Sequence, residues 1–201
     1  MDWLLAALLS LSAYLLGSIP SAYVLVYLVK RVDIRQVGSK NVGALNTFQQ
    51  LGLGGALLVL LADAGKGALA VLLPGWAGAP EWTVYLTAVL VIVGHNWPIF
   101  LGFRGGKGAA SILGIALALL PYLTLITLGP AAVMVILVRN VVLGVAVGFV
   151  LFNVLTVATG KATGLILLCL FLTFLVIATY LGSTWGKMAT AVKARHWREL
   201  F

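Results

Sequence analysis

The chain has 201 residues, of which 62% are hydrophobic and only 9% are charged, and its mean hydropathy is +1.13. This composition excludes an ordinary water-soluble domain, whose surface needs many more charged residues. The 13 Lys and Arg against 5 Asp and Glu give a net charge of +8. Because the aromatic residues lie in apolar runs and not among the basic residues, the charge does not indicate nucleic-acid binding.

Seven apolar runs predict an all-α integral membrane protein, since a helix of about 20 residues crosses the hydrocarbon core of a bilayer. The runs cover residues 3–29, 51–73, 82–101, 108–121, 122–138, 141–159 and 162–182. Only Pro121 separates the fourth run from the fifth, so one broken helix there, and six spans in total, is the alternative. No internal repeat is visible, and we expect one polytopic domain over residues 1–201.

The distribution of charge predicts the orientation in the membrane. With seven spans and the N-terminus outside, every Lys and Arg except Lys161 and Lys66, which is in the second run, lies in a cytoplasmic segment. The positive-inside rule therefore favours an outside N-terminus and a cytoplasmic C-terminus.

The first cytoplasmic segment contains a loop, residues 38–46, that is too polar and too rich in glycine for a membrane span. Ser39, Asn41 and Asn46 supply short hydrogen-bonding side chains, and the backbone N–H groups of such a loop can form a concavity for an anion. An ordinary solvated turn is the other interpretation of this loop.

The second cytoplasmic segment, residues 94–111, sets cations among glycines directly before a new apolar helix. Open backbone N–H groups, a helix N-terminus and nearby cations together form the arrangement that holds phosphate. It is not a nucleotide-binding P-loop, because Leu101 stands where that motif needs Gly, and Gly108 follows Lys107 where it needs Ser or Thr. The phosphate ligands predicted here are Arg104, Gly105, Gly106, Lys107 and Gly108.

Four other polar residues are candidates with more than one interpretation. His95 is a general base, a phosphate ligand or a hydrogen-bonded interfacial histidine. Asp63 and Lys66 lie at i and i+3 inside the second run, where charge is costly, so they pair with each other or face a polar cavity. Arg139 is either a positive-inside anchor or a third contact to the phosphate site.

Four segments are similar, in chain order, to motifs of one enzyme family. Residues 17–23 are similar to its G-S-I-P segment, residues 38–46 to G-S-G-N-x-G-A-T-N, residues 63–67 to D-x-x-K-G, and residues 94–111 to G-H-x-F-P-x-F-L-x-F-K-G-G-K-G-x-A-T. On these motifs the sequence resembles the bacterial acyl-phosphate:glycerol-3-phosphate acyltransferase family, the PlsY family, over nearly its whole length.

The resemblance implies transfer of a fatty acyl group from acyl-phosphate to the 1-hydroxyl of glycerol 3-phosphate on the cytoplasmic side of the bacterial inner membrane. It implies no metal, cofactor or obligate protein partner; the partners are the two substrates and membrane lipid. By motif position, and with the loop residues above, the candidate catalytic residues are Ser39, His95, Lys107 and His196. The candidate residues for substrate or phosphate binding are Lys40, Asn41, Asn46, Arg104, Gly105, Gly106, Gly108 and Arg139.

The sequence departs from the family pattern at several positions. Lys40 stands where the family has Gly, Gln49 where it has a functional Arg, and Val142 where it usually has Ser, and the motif that contains His196 ends early. These departures support a second hypothesis, a relative with little or no catalysis that binds a phosphorylated metabolite or a partner. A small transporter is a third hypothesis, which the missing internal repeat weakens.

Overall fold

The computed structural model describes residues 2–193, and side chains up to residue 184. Within this range the protein is all-helical, which confirms the predicted class. The helices are α1 (Asp2–Ser18), α2 (Ser21–Lys30), α3 (Ala44–Trp76), α4 (Trp82–Asn96), α5 (Ala109–Leu119), α6 (Pro121–Val138), α7 (Val141–Ala158) and α8 (Thr163–Lys193).

The described residues contain six helical segments that are long and apolar enough to cross a membrane: Asp2–Lys30, Ala44–Trp76, Trp82–Leu101, Pro121–Val138, Val141–Ala158 and Thr163–Thr184. The fourth apolar run forms α5, whose 11 residues extend over roughly half of a bilayer core at about 1.5 Å per residue. The break expected at Pro121 separates α5 from α6. Seven apolar segments are therefore present, six of them of full length.

Two helices are interrupted in ways that the apolar pattern does not reveal. The first run is broken at Ile19 and Pro20, which separate α1 from α2. Helix α3 begins well before the apolar run at residue 51 and is kinked at Gly52, whose φ of 72° is left-handed. The break between α1 and α2 leaves backbone carbonyls without helical partners, and one of them is used by the site described below.

The chain divides into two compact units, the first ending at Thr124 and the second beginning at Leu125. In the first unit, buried apolar side chains from α2, α3 and the two polar segments form a common core. Because Val42 and Leu101 belong to the polar segments, this core packs against both of them. Its buried members are Ala22, Val26, Ile34, Val42, Val59 and Leu101.

Glycines bring two pairs of helices in the first unit into close contact. A Cβ at Gly17 in α1 would overlap the Val91 carbonyl of α4, and a Cβ at Gly94 in α4 would overlap the Tyr14 carbonyl of α1. Gly67 of α3 and Gly114 of α5 pack in the same reciprocal way. Small residues at such contacts let helix backbones approach closely, and here they lie beside the polar residues of the candidate site.

The second unit is held by its own contacts. Asn153 of α7 donates a hydrogen bond of 2.8 Å to the Thr173 hydroxyl of α8, and Gly144 of α7 lies against Val135 and Ala131 of α6. That residues 1–201 form one domain stays a prediction.

Candidate active site

The loop that precedes α3, residues 37–43, is held in shape by Asn46. This side chain is fully buried, and its amide nitrogen lies 3.0–3.1 Å from the carbonyl oxygens of Ile34, Val37 and Asn41. Its amide oxygen accepts a hydrogen bond of 3.3 Å from the N–H of Ser39. Asn46 was expected to bind phosphate. Both polar atoms of its side chain instead form hydrogen bonds with the backbone of the loop and its flanks.

The other predicted residues of this loop lie at its surface. Ser39 and Lys40 are exposed and Asn41 is half-buried. Lys40 has a φ of 62°, a left-handed conformation that is common for glycine and unfavourable for lysine. Gly38 also has a positive φ, and a Cβ there would overlap the Asn46 amide oxygen. Lys40 therefore lies at the surface of the loop, in a backbone conformation that glycine adopts more easily than lysine.

The loop between α4 and α5, residues 102–108, folds back onto the end of α4. The N–H of Gly105 donates to the Asn96 carbonyl at 3.1 Å, and the N–H of Gly106 donates to the His95 carbonyl at 3.0 Å. Both N–H groups, which were expected to contact phosphate, are therefore used inside the protein. A phosphate could accept from them only if these two bonds were exchanged. Gly108, with a φ of 85°, is the N-cap of α5.

Three charged or titratable side chains meet inside the first unit. The Lys66 ammonium lies 2.8 Å from Asp63 Oδ1 and donates to the Ile19 carbonyl at 3.1 Å, in the break between α1 and α2. His95 Nδ1 lies 3.8 Å from the same Asp63 oxygen. Their side chains are 2%, 5% and 7% exposed for Asp63, Lys66 and His95. The expected Asp63–Lys66 pair is thus present, and His95 completes a buried cluster.

The cavity beside this cluster is small. It has a volume of about 10 Å³, and its lining includes the cluster residues with Gly105 and Gly106 of the second loop. That volume accommodates about one water molecule. A Cβ at Gly106 would overlap His95 Nε2, so this glycine allows the loop to lie directly on the imidazole ring.

A larger pocket of about 270 Å³ lies between the two loops, lined by Arg35, Gln36, Lys40, Arg104 and Gly105. The Arg35 guanidinium is fixed by three hydrogen bonds to Asp33, at 3.0, 3.2 and 2.8 Å, and donates to the Leu101 carbonyl at 3.1 Å. Hydrogen bonds from Arg35 lower the pKa of Asp33 below its usual value of 3.8. In the sequence, Arg35 contributes only to the predicted membrane orientation, because nothing local to residue 35 indicates a neighbour near residue 104.

Lys107 does not line either cavity. Lys107 is half-buried and precedes Gly108 at the start of α5. Arg139 is exposed and lies in the second unit, just before Asn140, which caps α7. His196 lies outside the described residues. Within the described residues, no group of three or more His, Cys, Asp or Glu side chains is arranged to hold a metal ion.

Solved structures provide one comparison. The crystal structure of PlsY, an integral membrane glycerol 3-phosphate acyltransferase, in its glycerol 3-phosphate form is 30% identical to this chain, with a TM-score of 0.84 over 92% of both chains. The lysophosphatidic acid form of PlsY is 27% identical, with a TM-score of 0.81 over the same shares.

Sequence relatives and a family model agree with this likeness. A glycerol-3-phosphate acyltransferase of Thermoanaerobacter pseudethanolicus is 38% identical over 86% of both chains. Glycerol-3-phosphate acyltransferase 4 of Dehalococcoides mccartyi is 45% identical over 60% of this chain and 52% of the relative. The family model described as glycerol-3-phosphate acyltransferase matches residues 7–185. The chain therefore belongs to the glycerol-3-phosphate acyltransferase family.

Proposed function

We propose that the protein transfers a fatty acyl group from acyl-phosphate to the 1-hydroxyl of glycerol 3-phosphate and so produces lysophosphatidic acid at the cytoplasmic face of the membrane. One observation carries the proposal: two basic, glycine-rich loops meet over a buried Asp63–Lys66–His95 cluster in a chain of this family. The names of its relatives and the two PlsY forms support glycerol 3-phosphate as the acceptor.

The reaction needs charge stabilisation more than a strong nucleophile. The hydroxyl oxygen of glycerol 3-phosphate forms a bond to the acyl carbon, the bond from that carbon to the phosphate oxygen breaks, and the hydroxyl proton ends on the released phosphate. Acyl-phosphate is already an activated mixed anhydride. Two unit negative charges about 5 Å apart repel by roughly 3 kcal/mol at an effective dielectric constant of about 20, so binding both substrates requires cations.

Several predicted residues supply these cations and donors. The Lys107 side chain adds a full positive charge next to the partial positive charge at the N-terminus of α5. Lys40 and Arg104 line the pocket between the loops, and the Ser39 hydroxyl, which is on an exposed residue, orients a substrate hydroxyl in this proposal. Asn41, Arg139 and His196 stay in the proposal as further substrate contacts.

His95 acts in this proposal as a positioning residue. Its imidazole is 7% exposed, and a cavity of about 10 Å³ does not admit glycerol 3-phosphate. Its carbonyl and ring both contact the second loop, so it fixes the loop that carries Arg104 and Lys107. The proton acceptor is then the phosphate leaving group of the substrate.

The deciding experiment measures incorporation of labelled glycerol 3-phosphate into lysophosphatidic acid by purified protein in detergent, with acyl-phosphate and acyl-CoA offered separately. We expect product from acyl-phosphate alone. Lys107→Ala is expected to lower kcat by about 100-fold or more, whereas Lys30→Ala, which removes an exposed cation at the end of α2, leaves it unchanged. Wild-type rates in folded Lys107→Ala would contradict the role of Lys107.

A relative without catalysis remains the second candidate because Gln49 replaces the family's arginine. Gln49 is exposed in the first turns of α3 and its amide oxygen lies beside Gly38 of the first loop, so no guanidinium stands at this position. Folded protein that gives no product from either donor would favour this candidate. Activity in detergent would exclude a transporter as the sole function, since transport requires a sealed membrane.

A further inference from the structure

We infer that Asn96 is a positioning residue for Lys107, because it contacts both ends of the turn that carries this lysine, residues 105–108. The inference rests on the proposed function, in which Lys107 stabilises negative charge. Asn96 is the last residue of α4, and the sequence around it does not single it out. It is 4% exposed, so it acts through the turn and not on the substrate.

The turn is attached to Asn96 at two points, one at each end. The N–H of Gly105 donates to the Asn96 carbonyl at 3.1 Å. At the other end, a Cβ at Gly108 would lie 3.0 Å from Asn96 Oδ1, so the amide oxygen lies directly beside this glycine. Lys107 lies between the two attachment points. The main chain of Asn96 therefore holds the start of the turn, and its side chain faces the end.

The Asn96 amide group is buried without a recorded hydrogen bond. Within residues 2–184, neither its Nδ2 nor its Oδ1 has a hydrogen-bond partner. A buried amide without a partner costs free energy of folding, and an apolar side chain of the same shape does not carry this cost. Stability therefore does not explain an amide at this position.

The N-terminus of α5 gives the amide oxygen something to attract. Gly108 is the N-cap of α5, with a φ of 85°, and in the described structure no side chain of the N-cap bonds to this helix start. The first N–H groups of a helix carry a partial positive charge. From α4, Asn96 Oδ1 provides the partially negative oxygen that an N-cap side chain normally provides. An apolar side chain would fill the same space without this attraction.

The first test compares the stability of Asn96→Leu and Thr83→Val in purified full-length protein in detergent. Leu has the branched shape of Asn without its polar atoms. Thr83 is the matched control: it lies in the first turn of α4, is fully buried, and its Oγ1 has no hydrogen-bond partner among the described residues. We expect both melting temperatures to lie within about 2 °C of the wild type or above it. A clearly lower value for Asn96→Leu alone would assign Asn96 a structural role and overturn the inference.

The second test measures acyl transfer by the same proteins. We expect Asn96→Leu to lower kcat by about 10-fold or more, because Lys107 is displaced from its working position, and Thr83→Val to leave kcat unchanged. Asn96→Asp keeps an oxygen beside Gly108 and is expected to stay within about threefold of the wild type, since Asp and Asn are similar as N-caps. Wild-type kcat in Asn96→Leu, or an equal loss in folded Asn96→Asp, would contradict the role of the amide oxygen.

A double-mutant cycle tests whether Asn96 acts through Lys107. In a Lys107→Ala background we expect Asn96→Leu to lower kcat by less than about twofold, because the group that it positions is already absent. The same loss of about 10-fold in both backgrounds would show that the two residues act independently, which would overturn the inference.

Hydrogen exchange followed by mass spectrometry tests the turn without turnover. We expect amides in peptides that cover residues 105–111 to exchange about 5-fold faster or more in Asn96→Leu, and at the wild-type rate in Thr83→Val. Equal exchange in all three proteins would refute the hold of Asn96 on the turn. A wild-type protein that makes no product but still shows this difference would refute the proposed function and leave the contact between Asn96 and the turn in place.

Discussion

His95 is buried and is held by contacts to two other elements of the site. Its Nδ1 faces Asp63 at 3.8 Å, its carbonyl accepts the Gly106 N–H at 3.0 Å, and its ring lies against Gly106. The sequence predicted the importance of this histidine from its glycine-rich neighbourhood. These buried contacts are the basis of the proposed role, in which the side chain supports the loop, and a catalytic role of His95 stays a prediction that substitution can test.

Substitution of His95 separates these two roles. Asn places an amide where Nδ1 lies and keeps the polar contact with Asp63, whereas Ala removes it and leaves a cavity. We expect His95→Asn to keep at least about 10-fold more kcat than His95→Ala, with the pH dependence of kcat unchanged. Equal inactivity of both folded variants, or loss of one limb of the pH profile, would identify His95 as the base.

The Asp33–Arg35 pair gives the protein an acid-sensitive contact. Hydrogen bonds from Arg35 lower the pKa of Asp33 below 3.8, against a smaller opposing effect of burial. Because the folded pKa is below the unfolded pKa, the pair stabilises the fold above the unfolded pKa, and this stability is lost as pH falls through the folded pKa.

Melting temperatures of the wild type and Asp33→Asn in detergent test this contact. We expect the wild type to be more stable near neutral pH and the difference to shrink as pH falls to about 3. A difference that does not vary with pH would show that the carboxylate charge is not involved.

At the scale of helices, glycine contacts decide how closely α3 and α5 pack. A Cβ at Gly67 would overlap the Ser111 carbonyl, whereas a Cβ at Gly65, on the same helix, meets no heavy atom within 4 Å. We expect Gly67→Ala to lower the free energy of unfolding by about 1–3 kcal/mol and to reduce activity, because Gly67 adjoins Lys66.

Gly65→Ala is the control for this substitution. It adds the same methyl group to α3 without a clash, so we expect stability to be unchanged or raised by up to about 1 kcal/mol. Thermal unfolding of both variants in detergent gives the comparison. Similar melting temperatures for the two would mean that the α3–α5 contact is not close.

The polar loops show how far a local pattern determines a site. Glycine content and basic residues predicted two loops and an anionic ligand. They did not predict that Asn46 and the N–H groups of Gly105 and Gly106 are used inside the loops. The sequence shows which hydrogen-bond donors a loop contains. Whether a donor is available to a ligand depends on which carbonyl groups lie within hydrogen-bonding distance in the folded chain.

For the whole molecule, the orientation in the membrane is a prediction from charge. In a Cys169→Ser background, Lys30→Cys is expected to react with a membrane-impermeant thiol reagent only from the cytoplasmic side, and Lys161→Cys only from the outside. Both positions are exposed. The opposite labelling pattern in intact cells and inverted vesicles would reverse the orientation and the proposed side of the active site.

The sequence by itself determined the membrane-spanning class, the apolar helices, the break at Pro121 and the family, because hydropathy and motif spacing are local properties of the chain. Tertiary structure alone decided that Arg35 and Arg104 line one pocket, that His95 joins Asp63 and Lys66, and that α1 breaks where Lys66 needs a carbonyl. These contacts join residues far apart in the chain. They depend on how closely helices pack, which is a property of the folded molecule and not of any one segment.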